Sequence, residues 1–251
     1  IVMSANGTTV KFYEEASPWR FEVYNDEGKM VVWYLSDQMF FGYDDNGELR
    51  KVKIVSDVSK SENLFGLGER FGGFLQNGKT VEMWNFDSFG QLRRSYGDHN
   101  VGYVNVPLLH SSRGYSVFHN NNYYGIVDVA DTEKDKCSAE FYGPMLDMYL
   151  WTGTTLENLD SYCKLTGSSA TVPKYALSYI PGQATTQWTA NGKGADEVFN
   201  TVKSHLDKYE ELNTPIKLIH LESVGNDARY SKLHDYLNSK GIKFMGWTNS
   251  A

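Results

Sequence analysis

The sequence predicts a mixed β and α/β chain: an antiparallel β-sandwich over residues 1–153, a connecting helix and linker over 154–174, and the start of a parallel βα unit over 175–251. Three observations predict it. Up to Gly153, short apolar runs recur at hairpin-like spacing with Gly, Asn and Asp between them, which is the pattern of antiparallel strands. After Gly153 the apolar residues take up helical spacing. From Tyr175 onward, short apolar runs alternate with amphipathic helical stretches, the order that builds a parallel sheet.

The elements follow in order. Trp19 to Tyr24 alternates, Asn25-Asp26-Glu27-Gly28 reads as a turn, and Met30 to Leu35 is apolar again, so this segment is a hairpin. Further strands are expected at Val52 to Val55, Tyr115 to Phe118, Tyr124 to Val129, Ala139 to Tyr142 and Asp147 to Trp151. Leu156, Leu159, Tyr162 and Cys163 share a helical face, with Thr154 or Thr155 available as N-cap. Tyr175 to Ile180 is a short apolar run that serves as the first strand of the last region. Ala195 to Leu212 is a helix with Val198, Phe199, Val202, Leu206 and Tyr209 on one face. Ile216 to Leu221 is a buried strand, Tyr230 to Lys240 a helix and Ile242 to Trp247 a strand, which completes β-α-β-α-β.

Composition narrows the functions. A length of 251 residues with 41% hydrophobic content is enough for one large core or two smaller ones, and the chain reads as soluble and globular. A net charge of −7 argues against nucleic acid, which calls for a basic stripe. No run approaches the roughly 18 apolar residues of a membrane span, and no basic and apolar leader opens the chain, which favours the cytoplasm. Cys137 and Cys163 fit neither a zinc pattern nor a disulfide framework and read as free thiols. Asn6-Gly7-Thr8 satisfies the glycosylation pattern, a triplet common by chance. Aromatic content of 14% suits a sugar binder, although β-rich cores also raise it.

The chemistry concentrates in Phe65-Gly66-Leu67-Gly68-Glu69-Arg70-Phe71 and in Asn77-Gly78-Lys79-Thr80-Val81-Glu82-Met83-Trp84-Asn85-Phe86-Asp87. Glycines allow tight turning, and Asn77-Gly78 favours a hairpin. Glu69, Arg70, Trp84 and Asp87 are residue types that hold a polyhydroxylated ligand: carboxylates accept hydrogen bonds from hydroxyls, and an indole face stacks on the apolar face of a pyranose. The competing reading makes Glu69 and Arg70 a structural ion pair and Trp84 a core residue.

These two blocks resemble the F/Y-G-L-G-E-R-F and T-V-E-x-W-N-x-D blocks of family 31 of the glycoside hydrolases, in its α-xylosidase-like and α-glucosidase-like branch. Tyr103-Val104-Asn105-Val106-Pro107, Arg113-Gly114-Tyr115-Ser116-Val117-Phe118, and Leu165-Thr166-Gly167 with Pro173-Lys174-Tyr175-Ala176-Leu177 are similar to further family blocks in the same order. The resemblance implies a galactose-mutarotase-like sandwich followed by the first βα units of a (β/α)8 barrel. It also implies a cofactor-free retaining hydrolase of α-linked glycosides or oligosaccharides, using no metal. Three parallel strands cannot close a barrel of eight, so the chain reads as an N-terminal portion. The two catalytic aspartates of the family belong to later barrel segments, and no catalytic residue is assigned here.

Substrate-binding residues carry over by position. Asp87 stands at the W-N-x-D aspartate, on a sandwich loop that in the family reaches the leaving-group sugar, and Trp84 opens that block. Glu222 ends the strand Ile219-His220-Leu221-Glu222, where the family has an aspartate that binds a sugar hydroxyl; the end of a barrel strand is a functional position. Trp247, with Asn249, matches the W-x-N-P block after the third strand, although serine replaces its proline. Capping or core roles compete for each. The barrel opening also departs from the family, with Ser178-Tyr179-Ile180-Pro181-Gly182 after Ala176-Leu177. His220 shares the strand face of Glu222 and reads as a core or interface histidine; His99, His110 and His119 show no metal-ligand spacing. Asn191-Gly192-Lys193-Gly194 lacks the Walker spacing and reads as a loop. Two classes remain: part of a family 31 hydrolase or transglycosylating relative, and a non-catalytic carbohydrate-binding or interaction module. Self-association through a longer parent protein stays open.

Overall fold

Alternating burial along strands such as Arg20–Tyr24, Gly125–Val129 and Lys136–Phe141 turns one face of each toward a core. The computed structural model describes residues 1–70, 72–85, 102–184, 194–222 and 228–247. It divides into two units, Ile1–Ser168 and Ser169–Ala251.

The first unit carries, in chain order, β1 (Val2–Ala5), β2 (Thr8–Tyr13), β3 (Arg20–Tyr24), β4 (Met30–Leu35), β5 (Met39–Tyr43), β6 (Leu49–Asp57) and β7 (Leu64–Gly66). There follow β8 (Lys79–Met83), β9 (Leu108–Ser111), β10 (Tyr115–His119), β11 (Gly125–Val129), β12 (Lys136–Phe141) and β13 (Met148–Thr152). They form three antiparallel sheets ordered β1-β2-β3-β4, β13-β10-β9-β7 and β5-β6-β12-β11-β8. The third sheet shows how the register works: Val81, Val127, Ala139, Ile54 and Met39 stand opposite one another across its five strands. Because side chains alternate with period two, that row and its neighbours Val52, Val129 and Phe141 all point inward. They share one core with Val23, Val32 and Tyr34 of the first sheet and Leu109 and Val117 of the second. Most of this unit is thus an antiparallel β-sandwich with one core.

The helix α1 (Thr155–Thr166) follows β13. Its N-cap is Thr154, whose hydroxyl accepts from Glu157 N at 3.3 Å while Glu157 Oε2 accepts from Thr154 N at 2.8 Å, a reciprocal capping box. Tyr162 sets its ring edge-on against Phe118 of β10 at 5.1 Å, covering a strand that is buried along its whole length.

The second unit has β14 (Gly182–Ala184), α2 (Ala195–Glu211), β15 (Leu218–Glu222), α3 (Ser231–Ser239) and β16 (Lys243–Trp247), with the three strands parallel in the order 14-15-16. Val198, Val202 and Leu206 of α2 and Leu233 and Leu237 of α3 bury Ile219 and Leu221 of β15. The expected strand at Tyr175 to Ile180 is a correction: Lys174–Leu177 is a 3-10 turn between Pro173 and Pro181, and the strand begins at Gly182. Proline fixes φ and has no N–H for a ladder, so the extended pairing starts after Pro181, whose carbonyl accepts from His220 N at 3.0 Å. Asn77-Gly78 is likewise not a hairpin of two paired strands. β7 pairs with β9 and β8 with β11, and Asn77 instead ties the turn down, accepting from Leu64 N at 2.8 Å and donating to Glu62 O at 2.9 Å. Among the described residues no helix is long and apolar enough to cross a membrane.

Candidate functional site

Three of the sequence blocks meet in the first unit, and glycine makes the meeting possible. Gly66 has φ +116° and Gly68 φ +89°, a region open to glycine at little cost. A Cβ on Gly66 would lie 2.5 Å from Leu108 O, and one on Gly68 2.3 Å from Val104 O. The 66–69 backbone therefore lies directly against 104–108, with Leu67 N donating to Leu108 O at 3.0 Å and Glu69 N to Val104 O at 2.8 Å.

Arg70 fixes the end of this ribbon. Its guanidinium donates to Leu67 O at 3.2 Å and to Asn105 Oδ1, so the residue expected to pair with Glu69 serves the asparagine instead, and Glu69 is exposed. Burial pulls the Arg70 pKa down to about 10, and among the described residues its Nη1 has no hydrogen-bond partner. Asn105 in turn donates to Asn85 Oδ1 from both its backbone N and its Nδ2, each at 2.8 Å. The chain of contacts 67–70–105–85 thus ends beside Trp84.

Trp84 is 50% exposed and is not a core residue. Side chains at one end of the third sheet make a row here: Trp84 after β8 meets Tyr124 before β11 edge-on at 5.7 Å, Tyr124 meets Tyr142 after β12 at 5.5 Å, and Lys51 Nζ sits 4.9 Å over the Tyr142 ring while pairing with Glu140 at 2.8 Å. Burial first, then the carboxylate of Glu82, raises the Tyr124 pKa. Beside the row lies an open cleft of about 380 Å³ lined by Met83, Trp84, Asn85, Asn105, Pro107, Asn121, Asn122, Tyr123 and Tyr124. Trp84 is expected from the sequence, whereas the other lining residues Asn121 to Tyr124 are not. The signal was there: two asparagines and two tyrosines ahead of a strand are an unusual outlay for a plain connection.

The other expected positions stand as follows. Asp87 lies outside the described residues, as do His99 and the 191–193 part of the expected loop. Glu222 and Trp247 pair in register at the carboxyl ends of β15 and β16, with Ala184 of β14 at the same level; their side chains are outside the described residues. His220 is on the face of β15 opposite Ile219 and Leu221, beside Met245 in register, and is half-buried there. His110 is in the sandwich core region, its Nδ1 2.7 Å from Ser116 Oγ, and burial lowers its pKa. His119 is buried as well.

The block around Arg113 is structural. Glu62 is buried, its Oε1 accepting from Ser111 Oγ at 2.5 Å and Tyr115 OH at 2.7 Å, and its Oε2 accepting from Ser59 N at 3.1 Å with Arg113 Nη1 3.8 Å away. Cys137 and Cys163 are both unpaired, and burial pushes the Cys137 thiol up to about 12, which keeps it protonated and inert.

Comparison with known proteins places this geometry. Residues 4–128 match the model of the glycosyl hydrolase 31 N-terminal galactose mutarotase-like domain. An α-xylosidase of Emericella nidulans is 30% identical over 167 residues, which is 66% of this chain and 20% of that protein. The α-xylosidase XylQ of Lactiplantibacillus pentosus is 26% identical over 265 residues, covering 98% of this chain and 30% of its own length. Among solved structures, a family 31 dextranase of Flavobacterium johnsoniae in complex with isomaltotriose superposes with a TM-score of 0.76 at 19% identity, over 98% of this chain and 30% of that one. That likeness concerns the fold. The chain spans 20% and 30% of the two curated relatives.

Proposed function

Since the chain belongs to glycoside hydrolase family 31 through the galactose mutarotase-like domain of residues 4–128, we propose that it is the N-terminal part of a retaining α-glycosidase. The activity is hydrolysis of α-xylosides or α-glucosides without a cofactor. In this reading residues 1–153 are the sandwich, 154–174 the connection, and 175–251 the opening of a (β/α)8 barrel. The observation that carries it is the family match joined to α-xylosidase relatives that align with as much as 98% of the chain.

The second unit supports the barrel part of this reading. Parallel strands with helices packed on one face leave the other face, with His220 and Met245, to become a barrel interior. Ligand-binding side chains of such barrels sit at the carboxyl ends of the strands, where Glu222 and Trp247 are neighbours in register. Glu222 accepts a hydrogen bond from a hydroxyl of the sugar to be cleaved, Trp247 offers an apolar face, and Asp87 and Trp84 contact the leaving-group side. The catalytic pair is carried by later strands, about 5–5.5 Å apart as a retaining mechanism requires.

The test is turnover of p-nitrophenyl α-xyloside and α-glucoside by the parent protein, with Glu222→Gln and Asp87→Ala. Hydrolysis with net retention at the anomeric carbon, lowered at least about tenfold in kcat/KM by either substitution, supports the reading. A parent protein that binds these glycosides without cleaving them overturns it.

A further inference from the structure

Asn-Gly is a pair in which a chain readily attacks itself, because glycine puts no Cβ between its backbone nitrogen and the preceding carboxamide. Three such pairs lie among the described residues: Asn6-Gly7, Asn46-Gly47 and Asn77-Gly78. Two conditions decide whether a folded chain permits the attack. The carboxamide has to be free to swing over the next peptide nitrogen, and that N–H has to be free of an acceptor, since it gives up its proton first.

Asn77 meets neither condition. Its Oδ1 accepts from Leu64 N at 2.8 Å, its Nδ2 donates to Glu62 O at 2.9 Å, and Gly78 N donates to Val129 O at 2.7 Å. Asn46 is exposed but meets only the first. Gly47 N donates to Asp44 O at 2.9 Å, and Asp44, Asp45 and Glu48 give the turn more negative charge than Arg50, which pairs with Asp44 and Glu48, offsets. Asn6 meets both. With Gly7 it makes the two-residue turn between β1 and β2, φ being +50° and +79°. Asn6 is exposed, and among the described residues neither its carboxamide nor Gly7 N has a hydrogen-bond partner. An open cleft of about 550 Å³ runs beside the pair, with Ser4, Thr9, Lys11, Tyr24 and Asp26 among its walls, so water reaches it. The Asp26 carboxylate shares that cleft with the Lys11 ammonium, which lies 4.1 Å over the Tyr24 ring.

The contacts of this turn give the reaction a consequence. Thr8 Oγ1 lies 2.9 Å from Thr152 Oγ1 and accepts from Thr152 N at 3.1 Å, while Thr152 Oγ1 lies 3.4 Å from Gly7 O. They join the first sheet, through its β1-β2 hairpin, to the end of β13 in the second. Gly7 and Thr8 are gripped, whereas the Asn6 carboxamide is left free.

We propose that Asn6 is a site of spontaneous deamidation and isomerisation, and that the product releases the hairpin tip from Thr152. Gly7 N loses its proton to solvent and attacks Asn6 Cγ; the N–Cγ bond forms, the Cγ–Nδ2 bond breaks, and ammonia departs with a proton from solvent. Water then opens the succinimide ring at either carbonyl, giving aspartate or isoaspartate. Either product replaces a neutral amide by a carboxylate. Isoaspartate also routes the backbone through Cβ and Cγ, which puts an extra carbon into the turn and moves Thr8 off Thr152. Nothing in this proposal depends on the hydrolase reading.

The experiment ages the 251-residue chain in warm, mildly alkaline buffer. Peptide mapping follows the amide-to-acid mass gain at each pair, and isoaspartyl methyltransferase labelling identifies isoaspartate. A parallel sample is aged in urea. The expected result is that Asn6 converts at least about tenfold faster than Asn77 in the folded chain, with Asn46 between them, and that the rates draw together in urea, where no tertiary contact protects any pair. The Thr152 amide resonance shifts in the aged chain and stays in place in aged Asn6→Gln, whose longer side chain does not form the succinimide. Equal rates at Asn6 and Asn77 in the folded chain, Asn46 ahead of Asn6, or an unmoved Thr152 resonance once Asn6 has converted, overturns the proposal.

Discussion

Tyr115 donates its phenolic hydrogen to Glu62 Oε1 at 2.7 Å, joining two residues 53 positions apart in the interior of the sandwich. The Glu62 side chain is fully buried, and Ser111 Oγ, Ser59 N and the guanidinium of Arg113 complete its surroundings. Burial, then the charge of Glu62, drives the Tyr115 pKa well above its ordinary value. This cluster ties the segment before β7 to the β9–β10 hairpin, which is why Arg113 and Tyr115 stand in one block.

Removing its two members has unequal effects. Glu62→Ala takes the acceptor from the Ser111 and Tyr115 hydroxyls and the counter-charge from Arg113, whose guanidinium keeps, among the described residues, only Met30 O, and costs about 3–5 kcal/mol. Tyr115→Phe leaves the carboxylate with Ser111 and Ser59 N, losing one hydrogen bond to a charged group, about 1.5–3 kcal/mol. Urea denaturation orders them; a Tyr115→Phe loss as large as that of Glu62→Ala contradicts this account.

Gly68→Ala tests the ribbon contact. Gly73 has φ +95° and nothing within 4 Å of an added Cβ, so Gly73→Ala meets backbone strain alone, about 1–2 kcal/mol. Gly68→Ala adds a collision with Val104 O at 2.3 Å and Val106 N at 2.7 Å, all backbone. It should cost at least about twice as much as Gly73→Ala and displace 104–106, whereas Gly73→Ala leaves that segment in place. Thermal melting and amide chemical shifts at 104–106 separate the two.

How much of this was legible in the sequence depended on distance along the chain. Alternation in Trp19 to Tyr24, the apolar run Met30 to Leu35 and the Thr154 cap are local patterns, and the hairpin strands and the helix form where those patterns lie. The Tyr175 to Ile180 run was misread because apolar content alone does not distinguish a strand from a turn bracketed by prolines. Glu69 and Arg70 looked like an ion pair because they are adjacent; the actual partner, Asn105, is 35 residues away, beyond the reach of any local pattern. The Trp84 half of the cleft was legible as residue types, but its Tyr123 half became visible only when β8 and β11 paired and brought residues 83–85 beside 121–124.

Arg70→Lys provides a third test. Lysine keeps the charge but not the fork that reaches both Leu67 O and Asn105 Oδ1. The expected loss is about 1–3 kcal/mol, accompanied by a change in Trp84 fluorescence as the Asn105–Asn85 contact loosens. Wild-type stability and emission in Arg70→Lys would show that charge alone matters at this position.

His119 gives the sandwich a defined acid sensitivity. Burial lowers its pKa from the ordinary 6.5 to about 4, with Phe141 packed at 5.5 Å from the ring. The folded chain therefore keeps the imidazole neutral in a range where the unfolded chain protonates it. Stability is fully present above about pH 6.5, falls as pH drops toward 4, and loses nothing further to this group below that, because both states then carry the proton. The full window corresponds to at most about 3 kcal/mol. His119→Leu removes this titrating group. His110, whose pKa burial also lowers, titrates in both proteins and cancels in the comparison. Urea midpoints of the two chains between pH 7 and pH 4.5 should converge or cross as the parent chain loses stability faster; two parallel curves would show that the His119 ring is protonated in the fold as readily as in the unfolded chain, and that its burial has no electrostatic consequence.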